Sequence, residues 1–251
     1  MASREPEPLA GRAALVTGAA RRIGAAVATR LPADRPRVAI HYRSSADEAR
    51  ALRDSLNDRR PGSAEIFAAD VADPEQAGPL VEAVSGWAGG LDVLVNNAST
   101  FYPTPVGSVT EAEWDDLVGS NLKGPLFLSQ AAAPALRAAR GAIVNLVDIH
   151  ARRPLRDHPV YGPAKAGLAM LTLSLAKDLA PEVRVNGVAP GAILWPEDGL
   201  SDAAKASILE QVPLARAGTP EDIADCIAWL LGAAYVTGQI IAVDGGRSIG
   251  W

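Results

Sequence analysis

A single cysteine, Cys226, in 251 residues leaves no internal disulfide framework, and such sparing use suits a reducing compartment. It lies in Asp222-Ile223-Ala224-Asp225-Cys226-Ile227-Ala228-Trp229, at helical spacing, where a small core residue is expected rather than a nucleophile. Long apolar runs are also missing. Nothing approaches the ~18 residues that span a bilayer, and residues 1–8 are polar and Pro-rich, with no apolar segment of the secretory kind. The expectation is a cytoplasmic protein with a flexible tail over 1–8 and one domain over 9–251. Positive charge is outweighed: Lys and Arg total 24 against 29 Asp and Glu, a net −5, which argues against a general nucleic-acid binder. The three histidines, His41, His150 and His158, have no partners at metal-ligand spacing, so no metal is expected. What is present is core material, with 48% hydrophobic and 21% charged residues.

Short, almost wholly apolar stretches at 13–16, 37–41, 64–68, 93–95, 142–146, 184–188 and 240–243 read as strands. Between them lie helical patterns: one up to about Leu31, then 46–57, 74–87, 110–117, 122–139, 160–179 and 221–231. Apolar strands separated by helices mean a parallel sheet covered on both faces. No linker or repeat divides the chain, so a single doubly wound α/β domain with a mostly seven-stranded parallel sheet is expected.

Three stretches carry chemistry. The first strand runs into Thr17-Gly18-Ala19-Ala20-Arg21-Arg22-Ile23-Gly24 and then a helix, the arrangement that binds a pyrophosphate at a helix N-terminus. The second strand ends His41-Tyr42-Arg43-Ser44-Ser45 with no acid before Asp47. An acid there takes ribose hydroxyls, whereas Arg accommodates a 2′-phosphate. Arg43 and Ser44 therefore point to NADP(H), with His41 beside the phosphate site. Third, Tyr161-Gly162-Pro163-Ala164-Lys165 opens a long helix, where Pro is tolerated in the first turn. Side chains four apart share a face, and an ammonium near a phenol is expected to lower a pKa that starts near ~10.

Thr17-Gly18 with Gly24, Asn96-Asn97-Ala98, Asn121, Tyr161 with Lys165 and Pro190-Gly191 together resemble a short-chain dehydrogenase/reductase over 11–246. The resemblance implies a Rossmann-type sheet and hydride transfer, with Asn121, Tyr161 and Lys165 in catalysis. It also implies a cofactor cleft formed by Gly18, Arg22, Ile23, His41, Tyr42, Arg43, Ser44, Asp70, Val71, Asn96, Ala98, Ser99, Tyr161, Lys165, Pro190, Gly191 and Ile193. Two positions depart from the common pattern: Arg22 replaces a Gly, and Asp148 replaces a Ser thirteen before the tyrosine. With Ser99, Phe101-Tyr102-Pro103 and His41-Tyr42-Arg43-Ser44 they resemble the pteridine reductases of that family.

An ionised Asp148 accepts hydrogen bonds from a pterin's amino and ring N–H groups, which a serine suited to an alkoxide does not match. The implied substrate site is Arg22, Ser99, Phe101, Asp148, Tyr161, Leu194 and Trp195. Phe101 would stack on the pterin, and the 191–200 loop stands where such folds bind ligands. Asp70 is open between adenine binding and turn capping, and Arg152, Arg153 and Arg156 read as a solvated rim. Two other readings stay open: a carbonyl reductase such as a 3-oxoacyl-thioester reductase, and a silent NADP-binding sensor. The family implies a homotetramer built on helices 122–139 and 160–179.

Overall fold

The computed structural model describes residues 13–31, 36–195, 199 and 201–249; the tail at 1–8 and the C-terminal Trp251 lie outside them. Seven parallel strands form one sheet in the order β3-β2-β1-β4-β5-β6-β7. They are β1 Ala13–Val16, β2 Arg37–Tyr42, β3 Ala64–Ala68, β4 Val93–Asn96, β5 Ala142–Leu146, β6 Arg184–Pro190 and β7 Ile240–Val243. The order reverses between β1 and β4, which opens a crevice at their carboxyl ends.

Alternate residues along a strand face opposite sides, and both sides are apolar here. Val16, Ile40 and Val95 pack with Val27, Ile223 and Ile227 on one side, while Leu15, Leu94 and Ile143 pack with Val84, Leu128 and Leu136 on the other. Leu15, Ile40, Leu94 and Ile143 have no exposed surface, and burial of each such side chain is worth roughly 1.5–3 kcal/mol.

The helices are α1 Arg22–Arg30, α2 Ala46–Arg59, α3 Ala77–Ala88, α4 Glu111–Val118, α5 Gly124–Ala139, α6 Tyr161–Asp178, α7 Asp202–Glu210 and α8 Pro220–Gly232. Capping chemistry sets several starts: Thr110 and Glu113 form a reciprocal capping box at α4, as Thr219 and Asp222 do at α8. Two helical stretches are divided differently from the sequence reading. Residues 74–87 divide into a 3₁₀ turn, Pro74–Gln76, capped by Asp73, and then α3. Between α4 and α5 a π-turn, Gly119–Lys123, widens the backbone, closing with Gly124 N–H on the Gly119 carbonyl. Helix α7 was not legible beforehand. None of its residues is buried, so it carries no apolar stripe to betray it.

Candidate active site

The crevice is held by its own polar groups. Gly18 has φ +60°, and a Cβ on it would sit 2.9 Å from the Ala98 Cα. A Cβ on Gly24 would lie 2.3 Å from the Gly18 carbonyl oxygen, so only glycine lets α1 close onto the loop. Arg22 also adopts a positive φ, 55°, the conformation that a glycine takes without strain. For a side-chain-bearing residue such a position costs of order 1–3 kcal/mol, a strain that collects at functional sites. Its guanidinium reaches the Trp195 carbonyl at 3.4 Å, tying the phosphate loop to the 191–195 segment.

Helix α1 opens with no side-chain cap and no acid in its first turn. Its N-terminal N–H groups and positive dipole end therefore suit an anion such as a pyrophosphate. Asn97 shapes this loop: its Nδ2 donates to the Thr17 and Gly18 carbonyls at 2.8 and 3.0 Å. The Thr17 hydroxyl accepts from the Asn97 and Ala98 N–H groups, both at 2.9 Å. Asn97 stood inside the Asn96-Asn97-Ala98 motif, yet it was not among the expected site residues.

Several expected cofactor contacts face elsewhere. His41 is 1% exposed; its Nδ1 accepts from the Gly18 N–H at 3.0 Å and its Nε2–H donates to the Ala69 carbonyl at 3.1 Å. It is an internal brace and not a phosphate ligand. Burial pushes its pKa down to about 4, against smaller opposing contributions from Ala69 and Asp70. His41 lies within β2, where the Gly18 and Ala69 backbone encloses its ring, whereas Arg43 follows the strand's end and is exposed.

Tyr42 packs its ring against the core, and its carbonyl accepts from the Ala69 N–H. Asn96 turns its side chain away from the crevice and donates to Asn145 Oδ1 at 2.8 Å and Ser129 Oγ at 3.3 Å. Ile23 and Ile193 likewise pack on the first core cluster; for Asn96 and Ile193 it is the backbone that can border a ligand. Asp70 Oδ1 accepts from the Ala72 N–H at 2.9 Å, the turn-capping role left open above. Val71 packs on the second core cluster. Ser44 is exposed. At the end of β6, Pro190 is buried, and a Cβ on Gly191 would meet Asp244 at 2.6 Å.

Tyr161 and Lys165 share the inward face of α6 with Ala164, Leu168 and Thr172. The Tyr161 hydroxyl donates to Asp148 Oδ2 at 2.8 Å. Asp148 Oδ1 accepts from the His150 N–H at 2.8 Å, capping the 3₁₀ turn Ile149–Ala151. Lys165 Nζ donates to the Leu146 carbonyl at 2.7 Å and stands 5.7 Å from the Tyr161 ring centre.

Here the expectation for the tyrosine is corrected. Burial first, then the charge and hydrogen bond of Asp148, hold the phenol well above its ordinary value. A neighbouring carboxylate favours the protonated phenol, as does burial. Burial brings Lys165 itself down to about 8, opposed by Asp148.

Asn121 is fully buried in the π-turn. Its Nδ2 donates to the Thr100 and Leu117 carbonyls, both at 2.9 Å, and its Oδ1 accepts from the Ser99 hydroxyl at 2.7 Å. The side chain clamps the Ser99 hydroxyl and the Thr100 carbonyl, and both of its amide hydrogens are committed.

Phe101 is 48% exposed. One face stacks on His158 at 4.8 Å and 17°, and its ring meets Tyr161 edge-on at 4.8 Å. His158 also places its Nδ1 2.7 Å from the Arg156 carbonyl. Thr104 N–H donates to the Asp157 carbonyl at 2.7 Å, fastening the two loops that flank Tyr161. Leu194 is 38% exposed beside Trp195; residues 196–198 and 200 of that loop lie outside the described residues.

A cavity of about 700 Å³ also adjoins Asp148, walled by Ile149, Ala169, Ala189, Ile240 and Ala242, with Arg152 and Arg153 in its lining. Neither Tyr161 nor Phe101 lines it. Among the described residues no helix is long and apolar enough to cross a membrane.

A doubly wound sheet with an anion-binding turn at its switch point and a Tyr–Lys pair beside it defines a nucleotide-dependent oxidoreductase. Residues 18–248 match the family described as enoyl-(acyl carrier protein) reductase. The chain is 40% identical over 240 residues to 3-oxoacyl-[acyl-carrier-protein] reductase FabG of Staphylococcus aureus, covering 94% of this chain and 97% of that one. It is 37% identical to pteridine reductase 1 of Leishmania tarentolae, covering 94% and 96%. A crystal structure described as a short-chain alcohol dehydrogenase from Sinorhizobium meliloti 1021 superposes with TM-score 0.92 at 35% identity, covering 96% and 98%. The chain belongs to the short-chain dehydrogenase/reductase family and is an NAD(P)-dependent oxidoreductase.

Proposed function

We propose that the protein is an NADPH-dependent pteridine reductase acting on C=N bonds of oxidised or dihydro pterins, with dihydrofolate as a further substrate. The carrying observation is the 2.8 Å hydrogen bond between Tyr161 and Asp148, a carboxylate where a ketone reductase uses a hydroxyl. A carboxylate accepts from the N–H groups of an aminopterin ring and opposes a developing alkoxide. Exposed Phe101, edge-on to Tyr161, offers an aromatic face to a flat heterocycle. Arg22, which meets the Trp195 carbonyl, and Ser99, Leu194 and Trp195 complete the proposed substrate site.

Bound NADPH supplies the hydride to a ring carbon. This chain's residues supply the proton and the orientation. Tyr161 delivers its hydroxyl proton to the adjacent ring nitrogen, while Asp148 holds the substrate's N–H groups and stabilises the protonated phenol at rest. Lys165 keeps two N–H groups beyond the one given to Leu146, enough for ribose hydroxyls. Asn121 contributes through its backbone, because its side chain is committed. Arg43 and Ser44 take the 2′-phosphate. A cytoplasmic homotetramer is the proposed assembly, supported by exposed Leu126 on α5 and Met170 and Leu173 on α6.

The alternative, a 3-oxoacyl-thioester reductase, is favoured by the 40% identity to the staphylococcal enzyme. NADPH oxidation with dihydrobiopterin, dihydrofolate and an acetoacetyl thioester, run in parallel, separates the two. Pterin turnover that falls at least tenfold in Asp148→Ser supports the proposal. Thioester turnover alone, unchanged or raised in that variant, overturns it.

A further inference from the structure

Asp116, on α4, takes no part in the chemistry above, yet it joins two of its components. Its Oδ1 meets the Arg43 guanidinium at 3.3 Å, and its Oδ2 accepts from the Tyr102 hydroxyl at 3.1 Å. Arg43 follows β2 and is the proposed 2′-phosphate ligand. Tyr102 belongs to the loop that carries Ser99 and Phe101. The backbone carbonyl of Asp116 also accepts from Thr100 Oγ1 at 3.3 Å and Ser120 Oγ at 2.9 Å. Ser120 Oγ in turn accepts from the Thr100 N–H at 3.2 Å, and Thr100 and Ser99 are clamped by Asn121. One residue thus touches the cofactor-selectivity arginine and the start of the substrate-side loop.

We infer that Asp116 couples occupancy of the 2′-phosphate subsite to the ordering of the 99–105 loop, as a positioning residue that passes the loss of its Arg43 partner on to Tyr102. The inference rests on the NADP(H) reading of Arg43. A phosphate dianion offers Arg43 a bidentate, doubly charged partner and draws it off a single carboxylate oxygen. The pair is exposed, with side chains 49% and 32% accessible, so little opposes the exchange. Once its cation has left, the Asp116 carboxylate is a stronger acceptor for Tyr102, and the loop bearing Phe101 is held more firmly against Tyr161. Coupling is reciprocal: a substrate that orders this loop tightens the binding of a 2′-phosphorylated cofactor.

The test uses the full-length protein with adenosine 2′,5′-bisphosphate and adenosine 5′-monophosphate, which differ only in the 2′-phosphate. Binding is followed by calorimetry and loop order by amide hydrogen exchange over 99–105. The bisphosphate should bind more tightly and slow that exchange roughly two- to fivefold, the range an exposed ion pair commands, while the monophosphate leaves it unchanged. Asp116→Asn should bind the bisphosphate at least as tightly as wild type and lose the loop response. Tyr102→Phe should lose the response alone. Equal slowing by both nucleotides, a response that survives Asp116→Asn, or tight selective binding with no response overturns the inference. Equal affinity for the two nucleotides in wild type overturns the NADP(H) reading and the coupling with it.

Discussion

The two ends of the crevice hold charged groups in opposite ways. At the Tyr161 end the two central side chains are packed away: Tyr161 and Lys165 are 4% and 3% exposed, and protein partners hold both. At the Arg43 end the ion pair with Asp116 stands half in water. Interaction between charges weakens severalfold as the surroundings become aqueous. The buried end is therefore preorganised and intolerant of change, whereas the exposed end can exchange partners at little cost. A reductase needs both, since proton transfer demands fixed geometry and cofactor turnover demands release.

The largest break in that contrast is Tyr161→Phe. It removes the proton donor and leaves Asp148 Oδ2 without its phenol partner. Turnover should fall by ~10²–10⁴, the usual worth of a general acid, with circular dichroism unchanged.

His41 comes next, as the buried brace between the phosphate loop and the end of β3. Its folded pKa, about 4, lies below its ordinary 6.5. The unfolded chain thus binds the extra proton first, and the contribution to stability, complete above 6.5, is lost as pH falls through about 4. That window is worth about 3 kcal/mol at 1.36 kcal/mol per pH unit. Denaturant unfolding at a series of pH values should show the slope in wild type and lack it in His41→Gln.

Lys165 tests the same buried end from the alkaline side. With its pKa brought down to about 8, the free enzyme loses its ammonium above that pH. The kcat/KM for the cofactor should then fall toward tenfold per pH unit, because this ratio reports free-enzyme ionisation. A flat profile to pH 9.5 would show that Asp148 holds the ammonium more firmly than burial expels it.

The smallest effect belongs to the exposed end. Arg43→Ala should change the stability of the cofactor-free protein by less than about 1 kcal/mol, while raising the KM for NADPH and not that for NADH. A stability loss comparable to that of His41→Gln would erase the distinction between the two ends.

How far the sequence could be read follows the same division. Strand positions, the phosphate turn, Tyr161 and Lys165 were legible because they rest on local rules: apolar period, glycine conformation and side-chain spacing along one helix. Asp148 stood out only through the family resemblance, at a position where Ser is common. The π-turn around Asn121 was not legible, since a single added residue in a helical register leaves no compositional mark. Nor was α7, which buries nothing. The direction of His41 was misread because strand alternation says that neighbours face opposite sides but not which side is occupied.

By itself, then, the sequence determined the α/β class, the order of elements and the identity of the groups gathered at the strands' carboxyl ends. Those properties depend on residues close together in the chain. Only the tertiary structure decided that Asp148, thirteen residues before Tyr161, shares a hydrogen bond with it and raises its pKa. It alone seated His158 on Phe101, spent the Asn121 side chain on Thr100 and Ser99, and set Asp116 between Arg43 and Tyr102. Each of those is a contact across loops, fixed by where the sheet and its helices bring distant backbone together, and no local pattern encodes it.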